Sequence, residues 1–218
     1  METINWFSGN YIEIAGALAG ILYVFLEIRQ NPMLWPVGII TSGAYIIVFF
    51  TEKLYADMSL QVYYVAISFL GWYWWIKGKS MRKSMGKSES EWESGSGKNM
   101  KVKGKLKVSR LKARTGFVLA VISIAMFFVL WLALGRYTDS PVPAADSFIT
   151  TLSVVATWML ARKIYEHWYL WIIVNFSMSA LCIFRGLYPT LILYLVYAIM
   201  SFAGLKEWSK SLHGSEMK

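Results

Sequence analysis

Residues 35–75 read WPVGIITSGAYIIVFFTEKLYADMSLQVYYVAISFLGWYWW, and residues 168–208 read WYLWIIVNFSMSALCIFRGLYPTLILYLVYAIMSFAGLKEW. Laid over each other at an offset of 133, the two stretches agree at 11 of 41 positions without a gap. Trp35 falls on Trp168, Ile39-Ile40 on Ile172-Ile173, Leu54-Tyr55 on Leu187-Tyr188 and Leu60 on Leu193. Tyr64 falls on Tyr197, Ser68-Phe69 on Ser201-Phe202, Gly71 on Gly204 and Trp75 on Trp208. Just upstream, Arg29 falls on Arg162. Matches among Ile, Leu, Phe and Tyr arise readily in an apolar chain. Matches of Trp and Gly in one register do not, so the chain reads as an internal repeat.

Each stretch carries two long apolar runs, and the rest of the chain is similar. Of 218 residues, 56% are hydrophobic and 16% charged. Soluble domains have about half and about a quarter. The balance predicts an all-α polytopic membrane protein. A hydrocarbon core of about 30 Å needs about 20 helical residues, and seven runs suit it: 11–28, 33–51, 57–76, 116–135, 146–163, 168–185 and 188–207. Met1–Asn10 has an acidic residue and no basic one, so no secretory signal peptide is expected. The net charge of +9 is uneven. Residues 77–115 hold thirteen of the 22 Lys and Arg, which places this loop in the cytoplasm. Alternation from there puts nineteen basic residues inside and three (Lys53, Arg136, Arg185) outside. The N-terminus is then outside and the C-terminus cytoplasmic. A basic juxtamembrane loop that attracts anionic headgroups explains the charge without nucleic acid.

The repeat pairs helices 2 and 3 with 6 and 7, and by extension helix 1 with 5. The layout is therefore 3+1+3. Residues 1–76 form a first three-helix bundle and 77–115 the basic loop. Residues 116–145 give a linker helix and external loop, 146–208 a second bundle, and 209–218 a tail. The single linker helix lets both bundles enter the membrane from the same side, as parallel repeats. That duplication is a transporter architecture, with substrate held near the midplane between repeats. A seven-helix receptor has no need of it. A membrane enzyme needs a catalytic cluster, and the sequence offers no buried carboxylate pair, no Ser/His/Asp set and no metal pattern. One cysteine, Cys182, excludes a disulfide within the chain. No cofactor is expected. The scarcity of intramembrane acids points to passage down a gradient.

Polar groups inside spans are costly and face the bundle interior. Hydroxyls of Thr41, Thr150, Thr151, Ser153 and Thr157 suit hydrogen bonds between helices. Gln61 and Asn175 carry amides that are expensive to bury idle, and they suit a site. Asn175 has Ser42 as its repeat mate. Trp168, Trp171 and Asn175 follow at spacings of three and four, hence on one helical face. Two indoles over an amide can hold a flat ring or a cation; a headgroup belt is the other reading of Trp168. In GWYWWIKGK, residues 71–79, Trp74 and Trp75 stand beside Lys77 and Lys79, as interfacial anchors do. Tyr64 lies deeper and suits the site, and Trp72 fits either role. Pro36, Gly38 and Pro189 are places where the bundles could bend as they rock about the site.

Longer motifs carry a family resemblance. They are W-P-V-G-I-I at 35–40, Y-A-D-M-S-L-Q at 55–61, G-W-Y-W at 71–74, E-H-W-Y-L-W-I-I-V-N at 166–175 and G-L-Y-P-T-L-I-L-Y at 186–194. With them, nearly the whole chain outside the basic loop and tail resembles the Pnu vitamin transporters, W-x-x-W-x-x-x-N being the most specific part. The resemblance implies a fold similar to the SWEET sugar transporters and a homotrimer in the bacterial inner membrane. It implies uptake of nicotinamide riboside by facilitated diffusion, with trapping by a cytoplasmic kinase. It implies substrate-binding roles for Trp168, Trp171 and Asn175, with Gln61 matching the family pattern and Tyr188 and Tyr194 joining them. Thiamine is the alternative substrate, and other relatives carry riboflavin. Asn175 stands where many members carry Asp, a departure that bears on this choice.

Overall fold

The computed structural model describes residues 11–51, 55–77, 106–138 and 141–216. Lys53, the termini and the basic loop over 78–105 lie outside them. Seven helices occupy the seven apolar runs: α1 Tyr11–Ile28, α2 Leu34–Thr51, α3 Tyr55–Lys77, α4 Ala113–Tyr137, α5 Pro143–Ala161, α6 His167–Arg185 and α7 Tyr188–Glu216. Five of them, α2, α4, α5, α6 and α7, are long and apolar enough to cross a membrane, and α1 holds a shorter apolar stretch, Ala15–Ile28. Pro143 opens α5, where its missing N–H costs nothing. Gly186, at φ 68°, caps α6 in the left-handed conformation.

The repeat register reappears in the backbone. The α1–α2 turn passes through Gln30 at φ 51° and the α5–α6 turn through Lys163 at φ 52°. These are 133 apart, and neither is the glycine such a conformation favours. Helix neighbours recur likewise: α1 packs on α2 and α5 on α6, α2 on α3 and α6 on α7, α7 on α1 and α3 on α5. Six helices thus close a ring. The seventh, α4, packs on α5 outside it, and among its described residues none is buried.

One end of the ring is filled by aromatic side chains. Trp35, Trp75, Trp168 and Trp208 are all buried there, with Leu34, Leu160 and Leu212. Trp75 meets Trp35 edge-on at 5.5 Å and Trp208 at 6.3 Å, and Trp208 meets Trp168 at 5.9 Å. Since the ends of α1, α3 and α5 and the starts of α2 and α6 meet in this cluster, α1 runs parallel to α5, α2 to α6 and α3 to α7. Gly71 and Gly204 make the packing possible: a methyl at either would overlap the indole of Trp35 or Trp168 respectively.

Three expectations change. Trp75 is only 3% exposed, and its Nε1 donates to the Ala161 carbonyl at 3.2 Å. It is core, not a headgroup anchor; Trp74 is half-buried beneath the Arg162 guanidinium, 4.0 Å from its ring. Lysines beside an indole suggested the interface, but ring closure turns that face inward. The tail expected at 209–218 continues α7 to Glu216, because Leu212 extends the buried face begun by Trp208. The end of the basic loop is not free. Val108 is buried, Ser109 N donates to Lys163 O at 3.0 Å and Tyr165 N to Ser109 O at 2.9 Å. Leu111 N donates to Glu166 Oε2 at 2.8 Å. This strap ties the α4 entry to the α5–α6 turn.

Candidate functional site

Above the tryptophan cluster, the ring interior is lined by tyrosines and small polar groups. Counting about 1.5 Å per residue from that end, Trp171 lies about 6 Å in and Asn175 about 12 Å. Tyr45, Tyr64 and Tyr197 lie about 16 Å in and Tyr194 about 20 Å, around the middle of a bilayer core. Tyr64 lies beside Tyr63, 5.6 Å between ring centroids, and within electrostatic reach of Ser153 and Tyr194. Tyr194 meets Tyr197 edge-on at 5.9 Å, and both neighbour Tyr45. Tyr23 of α1 and Tyr64 both pack against the tryptophan cluster. Tyr63 donates to the Val154 carbonyl at 2.8 Å.

The residues singled out in the sequence separate into three groups. Asn175 is buried, and its Nδ2 donates to Ser201 Oγ of α7 at 3.0 Å. Ser201 and Ser68 are repeat mates, as Asn175 and Ser42 are, and all four are buried. Trp171 and Tyr64 pack from the interior against the tryptophan cluster. Gln61, one turn before Tyr64, is half-buried on the same face of α3. These, with Tyr194, share the ring interior. Trp168 is different: it lies fully inside the cluster against Gly204. Trp72 and Tyr188 point outward, 37% and 66% exposed, and are not brought to the interior. Their aromatic type marked them, but their helix faces set their direction.

Some buried hydrogen-bonding groups are unmet. Among the described residues, the indole N–H groups of Trp35, Trp168 and Trp171 and the Thr151 hydroxyl are buried without a partner. Such groups are rare and call for an explanation. Trp171 and Thr151 lie along the interior, where a ligand's oxygens would satisfy them. Three of the other hydroxyls donate within their own helices: Thr41 to Val37 O at 2.9 Å, Ser153 to Ile149 O at 2.8 Å and Thr157 to Ser153 O at 2.8 Å. Among the described residues, no cluster of His, Cys, Asp and Glu could hold a metal. The interior therefore offers aromatic faces, hydroxyls and an amide, and suits a flat ring bearing hydroxyls.

A polar pair escaped the sequence reading. Glu27 and His167, 2% and 0% exposed, meet at 3.0 Å between Oε1 and Nε2. His167 Nδ1 faces the Ile164 carbonyl at 2.7 Å, so that nitrogen donates. The ring stands between Trp168 and Trp208, at 4.7 and 4.6 Å. Both residues stand at helix ends, Glu27 in the last turn of α1 and His167 as the first residue of α6. The available signal was the repeat: their mates are Leu160 and Leu34, so each is a charged departure at an apolar position.

Residues 10–210 match the family described as "Nicotinamide mononucleotide transporter". Two relatives are named nicotinamide riboside transporter PnuC. The one from Escherichia coli (strain K12) is 26% identical over 93% of this chain and 86% of its own length. The one from Neisseria mucosa is 28% identical over 92% and 73%. The riboflavin/roseoflavin transporter RibM of Streptomyces davaonensis is 22% identical over 90% and 83%. A crystal structure of the vitamin B3 transporter PnuC superposes with a TM-score of 0.68 at 22% identity, covering 97% of this chain and 86% of that one. The likeness in fold extends over nearly all of the helices.

Proposed function

This chain belongs to the nicotinamide mononucleotide transporter family, and from that premise we propose that it takes up nicotinamide riboside. The observation that carries the proposal is the ring interior, an aromatic and hydroxylic space without a basic residue in mid-span. A flat cationic ring fits beside indole and phenol faces, and ribose hydroxyls meet the tyrosines and Asn175. A mononucleotide carries a phosphate, which in mid-membrane would need Lys or Arg beside it. The described helices place their basic residues only at their ends. The riboside therefore fits better than its phosphorylated form.

The binding residues in this reading are Trp171, Asn175, Tyr64, Tyr194 and Gln61, with Trp168 as the floor beneath them. Trp72 and Tyr188 drop out. The seven helices cross the membrane as a parallel 3+1+3 repeat, SWEET-like, about an axis along the membrane normal. Support comes from the repeated turns at Gln30 and Lys163 and from the repeated helix neighbours. The tryptophan end is cytoplasmic, because Arg29, Lys77, Arg114, Arg162 and Lys206 gather there; the N-terminus is then outside, in a bacterial inner membrane. Passage is facilitated diffusion, and a cytoplasmic kinase traps the product. The functional unit is a homotrimer.

A second reading, thiamine or another vitamin, has one observation in its favour: a relative of similar coverage carries the riboflavin name. Calorimetric titration of the purified protein with nicotinamide riboside and, separately, thiamine decides between them. Tight binding of the riboside alone is expected. Binding of thiamine alone would keep the transport class and change the substrate. Binding of neither would overturn the site.

A further inference from the structure

We propose that the ring opens at its α1·α7 seam, with Glu27 and His167 as the latch, while the α3·α5 seam stays shut. The proposal rests on the transport reading, since it says how substrate would pass the tryptophan end. The two halves of the chain meet at these two seams, and each is stitched by an indole. Trp75 donates to Ala161 O at 3.2 Å and Trp208 to Glu27 O at 3.0 Å. Beyond that shared stitch the seams differ: the α1·α7 side adds an exposed bond from Gln30 Nε2 to Ser211 Oγ at 2.9 Å, and the α3·α5 side is braced more deeply.

The α3·α5 seam is fastened deep in the span by the Tyr63 hydroxyl on Val154 O, 2.8 Å away. The corresponding positions at the other seam are Val196 and Ile21, whose side chains have nothing to donate. Arg162 lies over Trp74 across the closed seam. The strap at 106–111 ties the α5–α6 turn, and α4 packs on α5 from outside. Among the described residues, the principal neighbours of α1 are α2 and α7. Where α5 presents Ile149 and Ser153, α1 presents Gly16 and Gly20, and a methyl at Gly20 would overlap the Tyr197 hydroxyl. At Gly20, α1 thus offers α7 bare backbone and no side chain of its own.

The latch itself is polar where its counterpart is apolar. Glu27 and His167 share one proton between Oε1 and Nε2, and both are buried. At the equivalent positions Leu160 and Leu34 are fully buried in the same cluster. When a buried carboxylate and imidazole part at a membrane surface, each exchanges its partner for water and recovers its hydration. When two leucines part, apolar surface meets water with nothing in return. Of the two seams, the polar one is the easier to open and reclose.

The test uses full-length protein in lipid nanodiscs, with Cys182→Ser and paired spin labels at exposed sites. Arg29→Cys with Lys210→Cys spans the α1·α7 seam, and Lys77→Cys with Tyr169→Cys, the latter at the start of α6, spans the two halves on the α3 side. Two distance populations across the first pair and one across the second are expected, without substrate and with nicotinamide riboside. Two populations across the second pair alone, or across both equally, would overturn the proposal. The second arm is Glu27→Leu/His167→Leu, which copies the leucine seam. It should bind nicotinamide riboside as wild type does and slow counterflow in proteoliposomes at least tenfold. Counterflow at the wild-type rate would overturn the latch. If wild-type protein neither binds nor carries the riboside, the uptake reading fails, and the ligand-free distances still decide which seam opens.

Discussion

Gln30 and Lys163 stand 133 residues apart in the chain and touch: Lys163 Nζ lies 3.4 Å from Gln30 Oε1. Each is the left-handed residue of its turn. The two turns thus meet directly at the tryptophan end. Lys163 is also 4.2 Å above the Trp75 ring, and Gln30 Nε2 donates to Ser211 Oγ at 2.9 Å. The turns of both halves are thereby joined to α3 and α7 at the tryptophan end.

Gly71→Ala and Gly204→Ala should lower thermal stability by similar amounts. Each methyl would enter an indole held by its neighbours, Trp35 in one case and Trp168 in the other. Overpacking of this kind costs about 1–3 kcal/mol. Thermal unfolding in detergent checks it. A loss at one glycine only would show that the two contacts are not equivalent.

How much of this was legible in the sequence follows from the kind of signal. Apolar run length located all seven helices, because the bilayer imposes a length. The 133-residue register matched Trp35 with Trp168 and Gly71 with Gly204, but which glycine meets which indole is seen only in the structure. Direction was harder. Trp72 and Trp75 are three residues apart, yet Trp75 is core and Trp72 points outward. Composition names the residue type, and only closure of the ring decides which face is inside. The Glu27–His167 pair joins residues 140 apart and lies outside any local pattern. The strap at 106–111 sits in a basic stretch whose charge overshadowed Val108 and Leu111.

Substrate affinity should separate interior from exterior aromatics. Trp171→Ala and Asn175→Ala are expected to abolish detectable riboside binding in calorimetry while leaving a folded protein. Asn175→Ala also removes the hydrogen bond to Ser201, a loss of about 1 kcal/mol in stability. Trp72→Ala and Tyr188→Ala should keep affinity within about twofold, since neither touches the interior. Wild-type affinity in both interior variants would refute the site.

Trp75→Ala should act on yield and melting temperature more than on affinity. It removes a buried indole, about 3–5 kcal/mol for large-to-small changes, and leaves the Ala161 carbonyl without its donor. Yield in membranes and the melting temperature report the first effect. Affinity measured on the surviving folded fraction reports the second, and a loss there as large as in Trp171→Ala would place Trp75 in the site.

The strap gives the last expectation. Ser109→Pro removes the N–H that Lys163 O accepts, and Glu166→Ala removes the acceptor of Leu111 N. Each loses one hydrogen bond, about 0.5–1.5 kcal/mol, at the junction of the strap with the α5–α6 turn. Local opening should therefore rise without global unfolding. Hydrogen exchange at the Tyr165 amide, which donates to Ser109 O, should quicken by about tenfold, while amides in the middle of α5 keep their protection. Because α4 packs on α5 independently of the strap, the melting temperature should fall by only a few degrees. Unchanged exchange at Tyr165 in both variants would mean that burial of Val108, and not the backbone bonds, holds the strap to the α5–α6 turn.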